Sequence, residues 1–131
     1  MIGVREVIII GGGLAGLSAA LYLGRSRRDT LLIHSGRSMA KWEANVQNYL
    51  GFPDGIDGTD LLDRGMEQGV RFEVEVAQDE VRSVMTSGET FHVQGRQGFY
   101  DAKRVLLRLR PVHRHGAYRA STADRMTTVI H

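Results

Sequence analysis

The chain opens with an apolar block. Residues Val4 to Ile10 read Val-Arg-Glu-Val-Ile-Ile-Ile and end in a continuous β-branched run. Such a run predicts a strand buried on both faces of a parallel sheet. Gly11-Gly12-Gly13 breaks it, and the period then changes. Leu14, Leu17 and Leu21, with the small Ala20, share one helical face at i, i+3, i+7 spacing. Gly24 and the cations Arg25, Arg27 and Arg28 are expected to close that helix, where positive charge meets the negative dipole end. Thr30 to Ile33 forms a second apolar strand, stopped by Ser35-Gly36. Strand, glycine turn, helix and strand within about 30 residues make a βαβ unit, whose crossover is expected to be right-handed.

From Arg37 to Gly58 the periodicity disappears among turn formers: Asn45, Asn48, Gly51, Pro53, Asp54-Gly55 and Asp57-Gly58. A loop of this length in a compact domain is more often functional than idle. Thr59 is expected to cap a short helix over Asp60–Gln68, with Asp60 in its first turn and Gly69 as its stop. Phe72 to Val76 then alternates with period two. Shorter β-like pieces follow at Val81–Met85, Phe91–Gln94 and Phe99–Leu107, separated by Ser87-Gly88 and Gly95-Arg-Gln-Gly98. The whole predicts an α/β protein: a Rossmann-like core with a small β-meander at Val81–Leu107.

Composition narrows the class. With 131 residues, 42% apolar and 24% charged, the chain has the make-up of one soluble globular domain or part of a larger one. The longest clean apolar run, Val7 to Ile10, is far short of the ~20 residues of a membrane span, and the N-terminus lacks the features of a secretory leader, so a cytoplasmic location is expected. The absence of cysteine removes disulfide scaffolds, thiol nucleophiles and Cys-based metal sites. The formal net charge of +2 hides a break. Residues 1–102 hold ten Lys/Arg against fourteen Asp/Glu, whereas residues 103–131 hold seven against one, Asp124. The last stretch interleaves Arg108, Arg110, Arg114, Arg119 and Arg125 with His113, His115 and hydroxyl residues without sustained periodicity, and reads as a poorly ordered basic tail. Nucleic-acid binding by the whole chain is disfavoured, because its acidic first part repels phosphate.

The chemistry is concentrated in Gly11-Gly12-Gly13-Leu14-Ala15-Gly16, a G-x-G-x-x-G placed between a buried-type strand and an amphipathic helix. Gly11 permits the tight turn, Gly13 lets a pyrophosphate approach the backbone, and Gly16 allows close packing of helix on strand. The helix N-terminus offers unpaired N–H groups and a positive dipole end to the phosphates. An acidic residue is expected near the end of the second strand to hold the ribose. His34 stands there, followed by Ser35 and Gly36. Imidazole offers one hydrogen bond per nitrogen and cannot act as a bidentate carboxylate, so His34 is assigned to lining the adenosine region. The glycine fingerprint alone leaves FAD, NAD and NADP open.

Taken together, Gly11–Gly16 with Ala20, the segment Asn45-Val-Gln-Asn-Tyr-Leu-Gly-Phe-Pro53, Gly55-Ile-Asp-Gly58 and Leu61-Leu62 resemble the N-terminal FAD-binding part of thioredoxin reductase-like flavoproteins, in the pyridine nucleotide-disulfide oxidoreductase superfamily. Asn48-Tyr49-Leu50-Gly51 matches three of the four positions of that family's Asn-Tyr/Trp-Pro-Gly segment. The resemblance covers about residues 4–107 and implies a partial FAD-binding domain over 1–107 followed by the tail at 108–131. It implies that Gly11, Gly13, Leu14, Ala15 and Gly16 hold the FAD pyrophosphate. His34 and Ser35 would lie near the adenosine, Val46 and Asn48 near the flavin end, and Val76 would approach the adenine through backbone groups. It implies FAD as cofactor, with NAD(P)H as electron donor only if a second domain is supplied, by a complementing chain or in a homodimer. No catalytic side chain is assigned, and autonomous catalysis is not expected.

The sequence also departs from the family pattern. Leu14 replaces a frequent proline, and Lys103-Arg-Val-Leu-Leu107 continues into Arg108-Leu109-Arg110 where an Ala-Thr-Gly motif is usual. The expectation is a chain that leaves the pattern near Leu107, as a frameshifted or truncated reading frame would. Two other readings stand beside the flavoprotein one: a non-catalytic fragment without ligand, and a module whose basic tail contacts nucleic acid or acidic membrane. Trp42 and Tyr49 are expected to pack the irregular loop onto the domain, with stacking on a flavin as the alternative. Asp54, Asp57, Asp60 and Asp63 are assigned to turns, a helix N-terminus and solvation, and His113-x-His115 is too small a group for a metal site.

Overall fold

The structure, a computed structural model, describes residues 3–37, 41 and 43–107. Six strands and two helices follow in the order β1 (Arg5–Ile10), α1 (Leu14–Arg25), β2 (Thr30–His34), α2 (Gly58–Arg71), β3 (Glu75–Gln78), β4 (Val81–Ser87), β5 (Thr90–Gly95) and β6 (Phe99–Leu107). They form one sheet in the order β3-β2-β1-β6-β5-β4. The first four positions run parallel, with Ile8 opposite Leu31 on one side and Val105 on the other. β4, β5 and β6 form the antiparallel meander.

β6 joins the two halves. Its first residues, Phe99–Ala102, pair with β5, and Arg104–Leu107 pair with β1, while Ala102 faces both Phe91 and Arg5. The β-branched run of β1 is buried on both sides as its composition requires. Val7 and Ile9 face a core shared with Leu17, Ala20, Leu32, Leu62 and Val74, on the helix side. Ile8 faces the opposite core with Leu31, Ile33, Val93 and Val105, onto which Val81, Val84 and Phe91 pack. The α/β architecture with a meander is as the sequence predicts, and the meander covers the sheet face that the helices leave open.

The close of α1 is where expected: its last residue is Arg25, and the reversal comes at Arg27, with φ +57°. Gly24, in its last turn, also has a packing role, since a Cβ there would fall 2.6 Å from Val74 Cγ2. Other boundaries differ for physical reasons. Asp57, rather than Thr59, caps α2. Its carboxylate accepts from the N–H groups of Thr59 (2.9 Å) and Asp60 (3.2 Å), so the helix begins at Gly58. Gly69 is buried within the same helix, which continues to Arg71 with Phe72 as C-cap. The third strand is therefore displaced from Phe72–Val76 to Glu75–Gln78, since Phe72, Glu73 and Val74 turn back onto carbonyls of α2.

One buried charge holds the crossover from β3 to the meander. Asp79 is 4% exposed and accepts hydrogen bonds from Glu80 N (2.7 Å), Gln97 N (3.1 Å) and the Tyr100 hydroxyl (2.9 Å). Burial opposes its ionisation, but the Tyr100 hydroxyl and the backbone N–H groups of Gln97, Glu80 and Arg96 outweigh it and hold its pKa below the ordinary value. Gly95 makes room for this carboxylate: a Cβ there would lie 2.0 Å from Asp79 Oδ2. No helix among the described residues is long and apolar enough to cross a membrane.

Candidate dinucleotide site at the glycine turn

The turn between β1 and α1 is built from the backbone outward. Gly11 continues the parallel ladder by donating its N–H to the Ile33 carbonyl (2.9 Å), then adopts φ +120°, a conformation that side chains rarely accept. The chain turns sharply enough that a Cβ on Gly16 would fall 2.0 Å from the Gly11 carbonyl oxygen. Gly16 therefore sets how closely the first turn of α1 approaches the end of β1. Gly13 is the N-cap residue; it accepts the first helical bond from Leu17 N at 3.0 Å. No side chain caps the helix and its first turn carries no acidic residue. The N–H groups of Leu14, Ala15 and Gly16 have no intrahelical acceptor at this end of a helix. They and the positive end of the helix dipole are the kind of donors that an anion can take up. Ala15 is exposed and Leu14 half-buried, so this end of the helix is open to solvent.

His34 reaches the same turn from β2. A Cβ on Gly12 would sit 2.4 Å from His34 Cβ, so the second glycine is required by the neighbouring strand as well as by any ligand. His34 is half-buried, and its pKa is held below the ordinary value, first by desolvation and then by the positive charge of Lys41. The imidazole is neutral at pH 7. Lys41 donates from Nζ to the Gly36 carbonyl (2.7 Å), and Ser35 Oγ accepts from Arg37 N (3.3 Å). Gln78, paired with His34 across the β2–β3 ladder, lies against Gly36.

The structure therefore gathers Gly11, Gly13, Leu14, Ala15, Gly16, His34 and Ser35 around the C-terminal ends of β1 and β2. Val76 lies one strand further out, opposite Leu32. Its side chain packs on the helix-side core, and the outer edge of β3 has no partner strand among the described residues. Val46 and Asn48 belong to the loop before α2. Val46 is buried and exchanges backbone hydrogen bonds with Ile56 (2.7 and 3.0 Å), while Asn48 is exposed. The loop reaches α1 through Tyr49, whose hydroxyl lies 3.3 Å from Ser18 Oγ and whose ring shares a small cavity with Leu14, Phe52 and Leu61. Tyr49 thus packs the loop onto the domain, as expected of it; Trp42, the tail at 108–131 and its His113-x-His115 lie outside the described residues.

Sequence reasoning missed two features of this region. The latch at Asp79 looks like any surface aspartate after a strand, although the glycine at 95 that accommodates it is a legible partner. The approach of Lys41 to Gly36 crosses an irregular segment that no periodicity registers.

The glycine turn, the βαβ unit and the meander coincide with a known family. The model of the pyridine nucleotide-disulphide oxidoreductases matches residues 5–108, and the chain belongs to that family. It is 38% identical over 119 residues to a thioredoxin reductase of Streptomyces clavuligerus, covering 87% of this chain and 37% of that one. It is 39% identical over 108 residues to a bifunctional thioredoxin reductase/thioredoxin of Mycobacterium leprae, covering 79% of this chain and 23% of that one. The crystal structure of thioredoxin reductase from Streptococcus pyogenes superposes with a TM-score of 0.76 at 28% identity, over 86% of this chain and 39% of that one. The chain is a thioredoxin reductase-like segment and spans less than two fifths of the length of these relatives.

Proposed function

We propose that this chain is the FAD-binding part of an NAD(P)H-dependent flavoprotein oxidoreductase. The observation that carries the reading is the uncapped N-terminus of α1, held against β1 by the Gly11–Gly16 approach. That cradle fits a pyrophosphate: it offers N–H donors and no carboxylate in the first helical turn, and it has the close backbone that only glycine permits. The N–H groups of Leu14, Ala15 and Gly16, with the backbone of Gly11 and Gly13, would hold the two phosphates. His34 and Ser35 would line the adenosine, the free edge of β3 at Val76 would meet the adenine, and the loop with Val46 and Asn48 would flank the flavin end.

When bound, FAD supplies hydride and electron transfer, and the protein supplies position and surroundings. This chain's residues bind and orient, and none is assigned a proton or a covalent role. NAD(P)H oxidation requires a second domain besides the one described. The relatives' greater length supports that requirement. Departure from the family pattern after Leu107 is part of the same proposal. It is supported by the inversion of charge beyond that point and is tested by reading the other frames of the coding DNA there.

The direct test is the visible spectrum of the purified chain, followed by titration with FAD monitored by flavin fluorescence. Retained flavin, or saturable quenching, is the expected result. No binding at millimolar FAD would overturn the proposal and leave a fragment without ligand in its place.

A further inference from the structure

We infer that two copies of this chain associate through β4, whose outer edge pairs antiparallel with the same strand of a second copy over Ser83–Ser87, about a two-fold axis at Met85. The surface is separate from the glycine turn: β6 and β5 lie between β1 and β4. The inference does not depend on the cofactor proposed above.

A sheet edge presents a row of backbone N–H and C=O groups, and folded proteins defend such edges with shortness, charge, proline or bulges. The two edges of this sheet differ in that respect. β3 has 4 residues and begins with Glu75, whose carboxylate is paired with Arg5. β4 has 7 residues, and its defences are confined to its start. The register with β5 shifts between Val81 and Ser83, so the ladder is irregular around Arg82, the one charged residue of the strand. From Ser83 to Ser87 the pairing with β5 is continuous, and the sequence Ser-Val-Met-Thr-Ser holds no charge, proline or glycine. The side of this segment turned away from β5 has no partner strand among the described residues.

The chemistry of the segment selects a second copy as its occupant. Antiparallel pairing about Met85 sets Met85 opposite Met85, Val84 opposite Thr86 and Ser83 opposite Ser87. Each contact away from the axis is made twice, and the assembly closes at two copies. An axis perpendicular to the sheet leaves every side chain on its own face. On the inner face Val84, paired with Val93, packs on the core yet is only half-buried at this edge, so the Val84–Thr86 pairs extend a β-branched layer. On the outer face Ser83 and Met85 border a groove with His92 and Gln94, and Met85 is 64% exposed. Two methionines facing each other across the axis cover one another, with the serines on either side. Arg82 of each copy falls beyond the paired segment, so no like charges are set opposite each other within it.

A strand pair of this length buries far less than the ~1,600 Å² of a standard interface, so the association is weak and follows concentration. The test is sedimentation equilibrium of the full 131-residue chain from about 5 µM to about 1 mM. The expected result is a mass that rises from one chain to two across that range. Met85→Lys and Met85→Glu each set like charges opposite each other and should weaken the association by at least about tenfold. Circular dichroism checks that both variants keep the fold. An equimolar mixture of the two sets opposite charges across the axis and should recover association to within about threefold of the unaltered chain. Hydrogen exchange on the unaltered chain, which needs no variant, should show amides within Ser83–Ser87 protected at the higher concentration alone. A single chain at every concentration overturns the inference. So does association that survives Met85→Lys, a mixture of folded variants that stays dissociated, growth beyond two copies, or exchange within Ser83–Ser87 that ignores concentration while the mass doubles.

Discussion

A Cβ on Gly16 would stand 2.0 Å from the carbonyl oxygen of Gly11. This contact joins the last residue of the glycine motif to its first, and it fixes the helix N-terminus against the strand end. Gly16→Ala must therefore move α1 or open the turn. The expected cost is about 1–3 kcal/mol of stability, as for overpacking elsewhere, and, under the proposed function, FAD binding weakened by at least about tenfold. Urea unfolding and flavin titration of the same variant measure the two effects separately.

The two-faced core predicts a sharp contrast along the sheet. Ile9 is completely buried on the helix side, and Ile9→Ala should destabilise by about 2–5 kcal/mol through lost burial and a residual cavity. Met85, on the outer surface of the meander, is 64% exposed, and Met85→Ala should stay within about 0.5 kcal/mol. Equal losses in urea denaturation would contradict the packing described.

Asp79 links stability to acid. Its pKa is lower in the folded chain than in the unfolded one, so the unfolded state binds more protons between the two values. The stabilisation is complete above the unfolded carboxylate value of about 4 and is lost as pH falls through the folded one. Asp79→Asn should flatten the acid limb of the stability profile. Tyr100→Phe removes one donor to the carboxylate and should cost about 1 kcal/mol near neutral pH. Thermal unfolding across pH 2–7 reads both, and an unchanged acid limb in Asp79→Asn would remove Asp79 as its source.

His34 should titrate below the ordinary histidine value of about 6.5. Burial is the larger cause and the Lys41 charge the second. Lys41→Ala should consequently raise the midpoint without returning it to the ordinary value. NMR titration of the imidazole ring protons checks this. A midpoint that does not move would separate Lys41 from His34.

Much of this protein was written in local pattern. The β-branched run of β1, the glycine motif, the leucine face of α1 and the alternations of the meander each state their element within a few residues, because strand, turn and helix preferences are set by neighbours in sequence. The turn at Gly11–Gly16 was legible for the same reason: it is formed by the backbone of one continuous segment. What the sequence could not assign were roles that depend on a second, distant segment. Gly69 looks like a helix stop by composition, yet it lies within α2, and Gly24, in the last turn of α1, makes room for the chain returning at Phe72 and Val74. Asp57 competed with Thr59 for one cap, and only the position of its carboxylate relative to two N–H groups decided it. Asp79, Gly95 and Tyr100 became one latch only when the meander folded across the sheet. Periodicity determined which faces are apolar; the tertiary structure decided what each face meets, because burial and charge are properties of the space that several segments enclose together.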